Sequence, residues 1–183
     1  MPTEHHRVTP VSLPQESGIA NVYSSVNLAD AYSIELPAGA STNPEQLARF
    51  IFSQHAPWVS GLMAVRDTLV AGFGLKTARH LKSIDMEGKA SRVGIFKIYS
   101  RSQTEIVLGE DDKHLDFRIS VLCTGQTLPT DKRHLIVSTV VHCHNRLGRN
   151  YIRLIAPFHR LIVQACIRRA ARAGWPVATE GTS

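Results

Sequence analysis

The stretch Gly148–Gly174, GRNYIRLIAPFHRLIVQACIRRAARAG, reads as one long amphipathic segment, and the strands before it are patterned to receive it. At 100° per residue, Tyr151, Leu154, Ile155, Phe158, Leu161, Ile162 and Ala165 share a stripe, with Arg149, Arg153 and Arg160 opposite. The stripe keeps its phase across Pro157. The pattern therefore predicts one helix over 149–172, bent at the proline, with Phe158 buried and Arg153 and Arg160 exposed. Proline also suits a first helical turn, so a second helix starting at Pro157 is the alternative.

Working back from the helix, two strands alternate cleanly. Leu115, Phe117, Ile119, Val121 and Cys123 form one face, matched on the next strand by Leu135, Val137, Thr139, Val141 and Cys143. The other face carries His114, Asp116, Arg118 and Ser120 with Ser138, His142 and His144. Pairing Cys123 with Leu135 sets Asp116 against His142 and His114 against His144. The apolar face is expected to take the helix, and the polar face to look outward.

Shorter strands are expected over 94–100 and 104–108, with a tight turn at Gly109-Glu-Asp-Asp112, and an earlier one ends in Tyr32, Ile34 and Leu36. Asn43-Pro-Glu-Gln46 opens a helix, with Asn43 as N-cap and Gln46 placed to close a capping box. A second helix follows Ala56-Pro57, with Trp58, Leu62, Val65 and Leu69 at helical spacing. The order predicts an α+β fold, a curved antiparallel sheet gripping a long C-terminal helix (helix-grip-like), with two helices after the first strand. Residues 1–18 read as a loose arm, 19–175 as a single domain and 176–183 as a tail.

A chain of 183 residues at 43% hydrophobic can build a real core. No run reaches the length of a membrane span, and the polar start lacks a signal-peptide centre. Three cysteines without metal-type spacing point to reduced thiols in a cytoplasmic protein. The net charge of +6 is uneven: residues 1–145 hold 14 Lys/Arg and 14 Asp/Glu, whereas 146–183 hold seven arginines and Glu180. Such a face could meet nucleic acid or anionic lipid, but it also solvates a helix and offsets its dipole. Nucleic acid is not expected as a partner, and the sequence does not give the oligomeric state.

His142-x-His144 puts two imidazoles on one side of a strand, with Asp116 and His114 the nearest further donors. Zinc needs three or four ligands with fixed directions, so the bland reading is histidines paired with an aspartate, and no metal or cofactor is expected. Glu110, Asp111 and Asp112 could form a cation or general-base cluster, but acids after glycine are also ordinary turn chemistry. No Ser-centred elbow, phosphate loop or HExxH motif is present.

Leu108-Gly-Glu-Asp-Asp-Lys-His-Leu-Asp-Phe-Arg-Ile-Ser-Val121, His142-Cys-His-Asn-Arg-Leu-Gly-Arg-Asn-Tyr151 and Pro157-Phe-His-Arg160 resemble the signature of domain-of-unknown-function family 2867. The likeness covers about residues 30–172 and includes Leu36-Pro-Ala-Gly and the stretch from Trp58 to Asp67. Some members are similar to the C-terminal domain of NAD(P)-dependent short-chain-type oxidoreductases. That domain resembles the helix-grip proteins of START, Bet v 1 and polyketide-cyclase type, which hold apolar ligands between sheet and helix. The resemblance brings no catalytic residues, and without a nucleotide-binding half it implies no oxidoreductase activity here.

Three functions compete. The first is binding of an apolar or amphipathic small molecule between sheet and helix, lined by Phe117, Ile119, Val137, Thr139, Tyr151, Leu154, Phe158 and Ile162. The second is an enzyme of cyclase or hydrolase type. It would draw on the polar candidates Glu110, Asp112, His114, Asp116, Arg118, His142 and His144. The third is a partner- or nucleic-acid-binding module working through the arginine face.

Overall fold

Seven antiparallel strands in the order β1-β2-β7-β6-β5-β4-β3 make one sheet. The structure is a computed structural model that describes residues 7–54, 91–125 and 132–178. In chain order the elements are β1 (Thr9–Pro10), β2 (Leu28–Glu35), α1 (Pro44–Ser53), β3 (Arg92–Val93), β4 (Phe96–Arg101), β5 (Glu105–Asp111), β6 (Leu115–Thr124), β7 (His134–Cys143) and α2 (Arg146–Ala173). The expected second helix from Ala56 onward lies outside the described residues. The fold is α+β, with both helices on one face of the sheet and α2 the long C-terminal one, consistent with a helix-grip-like arrangement.

The expected register holds. Cys123 pairs with Leu135 and Asp116 with His142. On the other side of β7, Leu28 to Glu35 run against Val141 to His134. Period-2 alternation then sends Tyr32, Ile34, Leu108, Val121, Leu135 and Val137 into one core with α1 and the C-terminal half of α2. Gly109 to Asp111 stand in β5 rather than in a turn, because they extend its pairing with β6 to Asp111↔Asp116.

Helix α1 starts as its sequence dictates, with Asn43 Oδ1 accepting from Gln46 N at 3.0 Å and Pro44 in the first turn. The capping box closes differently from expectation. Gln46 Oε1 takes the Ser41 hydroxyl at 2.6 Å, and Ser41 Oγ in turn accepts from Asn43 N at 3.1 Å.

Helix α2 runs unbroken for 28 residues with Pro157 inside it, from an Asn145 cap that accepts from Gly148 N at 3.0 Å. It packs on the sheet by a stripe other than the one with the bulkiest side chains. Gly148, Ile152, Cys166, Ile167, Ala170 and Ala171 are its buried residues. Leu154, Phe158 and Leu161 are 57%, 42% and 58% exposed. The buried face is rotated by roughly 120° from the stripe expected. The reason is size at the two ends of the helix: Gly148, packed against the His114 carbonyl, and Cys166, Ala170 and Ala171 fit where Leu or Phe would not. Arg153 and Arg160 are exposed as expected.

From residue 7 onward the expected arm is packed rather than loose. Val8, Ser17 and Ile19 are buried, and Thr9–Pro10 pair with β2. The segment crosses the sheet face opposite the helices, where Ile19 joins Val107 and Val140 in a small apolar cluster. This is the face expected to look outward. Its inner row of Val107 and Val140 needs a cover, and the arm supplies it.

Cys123, Cys143 and Cys166 are buried and free of disulfides. Burial raises all three thiols, that of Cys123 to about 12. A thiol raised on folding stabilises fully below its unfolded value and loses that contribution as pH climbs through the folded one. The urea midpoint is therefore expected to fall above about pH 9, and the fall should shallow in Cys123→Ala. An unchanged slope in that variant would remove Cys123 from the account.

Candidate functional site

Under the middle of α2 the core changes character. Among the described residues the apolar side chains on this face fall into two clusters. One is built on Tyr32, Val137 and Ile167, the other on Leu28, Leu115, Val141 and Ile152. Between them runs the cross-strand row Asp30↔Thr139↔Ile119. Asp30 interrupts an inward-facing run of Leu28, Tyr32 and Ile34, and its side chain is only 10% exposed.

A buried carboxylate must be met by donors, and α2 brings them. His159 Nε2 lies 3.3 Å from Asp30 Oδ1. Arg160 Nε stands 3.9 Å from Oδ2, an ion-pair distance beyond hydrogen-bond reach. Asp30 Oδ2 is buried with no hydrogen-bond partner among the described residues. Next along β2, burial raises the Tyr32 hydroxyl above its ordinary value, with the Asp30 charge adding to the rise and a hydrogen bond to Gln164 opposing it. Asp30, Tyr32, Thr139, His159 and Gln164 thus form a polar seam inside an apolar interface. A histidine held by a carboxylate is also the arrangement of a general base.

The expected lining residues divide. Ile119, Val137 and Thr139 are buried on the helix side, Phe117 bridges both clusters, and Tyr151 and Ile162 are half-buried. Leu154 and Phe158 are corrected, because the rotation of α2 turns them to solvent.

Of the polar candidates, Glu110 stands apart on the helix side, whereas Asp116, Arg118, His142 and His144 share the arm-side face. There Tyr23 stacks on His142 at 5.6 Å and lies 5.7 Å under Arg118, and the His142 and His144 rings meet at 5.1 Å. Strand alternation puts Glu110 and Asp111 on opposite faces. Glu110 Oε2 takes Arg92 Nη2 at 2.9 Å, and Asp111 Oδ1 takes Arg118 Nη1 at 2.7 Å. Arg118 lies 3.5 Å over the Tyr99 ring centroid, and the Tyr99 hydroxyl donates to Asp111 at 2.8 Å. Burial opposes ionisation of Asp111, but the bonds from Arg118 and Tyr99 outweigh it and hold the carboxyl below its ordinary value. Asp112 N donates to Asp116 Oδ1 at 3.2 Å.

His144 Nε2 meets Asp116 Oδ2 at 3.0 Å, while His142 Nδ1 donates to the Ser25 carbonyl at 2.8 Å and stacks on Tyr23. Burial pushes the Tyr23 hydroxyl up to about 12. The Asn145 amide donates to His114 Nδ1 at 2.8 Å, and His144 N donates to the His114 carbonyl at 2.9 Å. Among the described residues no three or more His, Cys, Asp or Glu side chains are placed to hold a metal ion.

A groove of about 180 Å³ lies elsewhere, lined by Asn43, Pro44, Glu45, Arg101, Ser102, Gln103 and Ile106. Glu45 at its wall is engaged by Arg49 and Arg101, and those bonds hold its carboxyl below the ordinary value. We place no site there, because its charged wall is already paired.

A family model described as a protein of unknown function, DUF2867, matches residues 22–166. The chain belongs to the DUF2867 family. Neither a curated protein nor a solved structure matches it. The matched span of this DUF2867 chain contains Asp30, Thr139 and His159.

Sequence reasoning missed the seam. One signal was present: in Leu28-x-Asp30-x-Tyr32-x-Ile34 an acid occupies an inward register position. His159 could not be found until the facing of α2 was known, since the expected stripe leaves it out. No helix among the described residues of this DUF2867 domain is long and apolar enough to cross a membrane.

Proposed function

We propose that the chain binds an amphipathic small molecule between the sheet and α2, with its polar head at Asp30 and its body along Ile119, Val137 and Phe117. The observation that carries this reading is Asp30 Oδ2, buried and without a hydrogen-bond partner among the described residues, in the seam between the two apolar clusters. An orphaned carboxylate oxygen is costly unless something donates to it. The ligand should therefore carry a hydroxyl or amine donor on an otherwise apolar frame. The helix-grip-like arrangement supports the same location.

Native mass spectrometry of freshly purified protein should show a bound small molecule. A fluorescent long-chain alcohol or amine should bind at about micromolar Kd. Asp30→Ala should weaken that probe by roughly 10–100-fold, as expected for losing a charge-assisted hydrogen bond. Thr139→Phe should block it while leaving the fold intact. Absence of any bound mass, together with no probe binding by the unaltered chain, would end the ligand-binding reading.

A further inference from the structure

The face of α2 turned away from the sheet has a composition that solvation alone does not explain. Leu154, Phe158 and Leu161 stand 57%, 42% and 58% exposed at i, i+4 and i+7, forming one ridge. Arg146, Arg153, Arg168, Arg169 and Arg172 are exposed along the same helix, and residues 146–178 contain no Asp or Glu. Among the described residues the ion pairs of this helix are those of His159 and Arg160 with Asp30. Five arginines therefore flank an apolar ridge with no carboxylate among the described residues paired to them. We infer that this face of α2 docks on an anionic lipid surface, with the ridge entering the headgroup–acyl boundary and the arginines meeting lipid phosphates.

Charge and shape select this occupant. A second copy of the chain would set the same arginines against one another. Residues 55–90 hold five Lys/Arg against three Asp/Glu, so that segment is net positive like the helix face. Nucleic acid would use the arginines but leave three large apolar side chains wet. An acidic protein would need a stable interface of roughly 1,000 Å² or more, and a convex ridge of three side chains supplies only a fraction of that. A bilayer needs no complementary surface: apolar side chains partition individually, and each basic residue near an anionic leaflet adds its own attraction. The inference is independent of ligand binding at Asp30.

The test is co-sedimentation of the full chain with phosphatidylcholine vesicles, with and without phosphatidylglycerol. The chain should sediment with the anionic vesicles alone, and less so as salt rises. Arg153→Glu with Arg168→Glu should reduce partitioning by roughly 20-fold or more. Phe158→Ser should reduce it at unchanged thermal stability, and a tryptophan placed by Leu161→Trp should shift its emission to the blue on anionic vesicles. Failure of the unaltered chain to bind anionic vesicles overturns the inference. So does a loss of folding stability in Phe158→Ser as large as that of a core substitution, which would mean the chain covers this ridge itself. A dimer in solution that Phe158→Ser dissolves would assign the face to a second copy instead.

Discussion

Ile167→Ala is expected to destabilise the chain by about 2–5 kcal/mol, while Phe158→Ala costs no more than about 1 kcal/mol. Ile167 is 0% exposed, in the cluster that α2 shares with α1 and the sheet. Truncating it removes apolar contact and leaves a cavity that close-packed strands cannot collapse into. Phe158 is larger but 42% exposed, so most of what its removal loses is already in water. On size alone the order would be the reverse. Urea midpoints of the two variants decide the matter, and a loss at Phe158 equal to that at Ile167 would mean that α2 presents its bulky stripe to the sheet.

That reversal shows what could and could not be seen in the residues. The two central strands were legible: the faces of β6 and β7, their register from Cys123↔Leu135 to Asp116↔His142, and the Asn43 cap all follow from period, pairing and capping chemistry. Those rules are local, and in each a single physical effect decides the outcome. The helix offered two overlapping apolar stripes, one bulky and one built of glycine, alanine, cysteine and isoleucine. Amphipathic periodicity finds both. Only the distance between helix and sheet chooses between them, and that distance belongs to the tertiary packing.

The candidate site was hidden by the same ambiguity. The turn-like string at Gly109 and the histidine pair at 142 and 144 drew attention because their residue types are dense in the sequence, yet alternation sends Glu110 to the helix side and sets the others on the arm side, where they are held by Arg118, Tyr23 and Asp116. The groups that meet in the helix–sheet interface, Asp30 and His159, are 129 positions apart. Each looks ordinary alone. The N-terminal segment misled for another reason: its proline-bearing, polar composition suggests disorder, but Ser17 Oγ and Gly18 N both donate to Glu105 Oε1, at 2.6 and 3.2 Å. Ser120 Oγ donates to the same oxygen at 2.5 Å, so one carboxylate fastens the arm to the sheet.

Gly109→Ala should be among the most damaging single-methyl changes in the chain, at about 3 kcal/mol or more. Gly109 sits in β5 directly across from Arg118 of β6. A Cβ there would run into the Phe117 carbonyl oxygen and come within 2.9 Å of Arg118 Cδ and 3.3 Å of its Nη1. The missing side chain is what lets Arg118 lie flat across its neighbouring strand, where Nη1 donates to Phe117 O at 2.8 Å and Asp111 Oδ1 at 2.7 Å. Backbone cannot step aside as a side chain can, so the methyl must part β5 from β6 locally. The guanidinium then loses both Asp111 and its seat on Tyr99. Adding Arg118→Ala relieves the side-chain contacts but not the carbonyl, so the double variant should recover little of the loss. By contrast Gly94→Ala meets no atom within 4 Å and suffers only the strain of its φ of 58°, about 1–2 kcal/mol. Thermal midpoints of the three variants, with near-ultraviolet dichroism reporting Tyr99, separate backbone clash from side-chain crowding and from φ strain. Full rescue of Gly109→Ala by Arg118→Ala would show that the arginine, and not the strand backbone, sets the limit at this position.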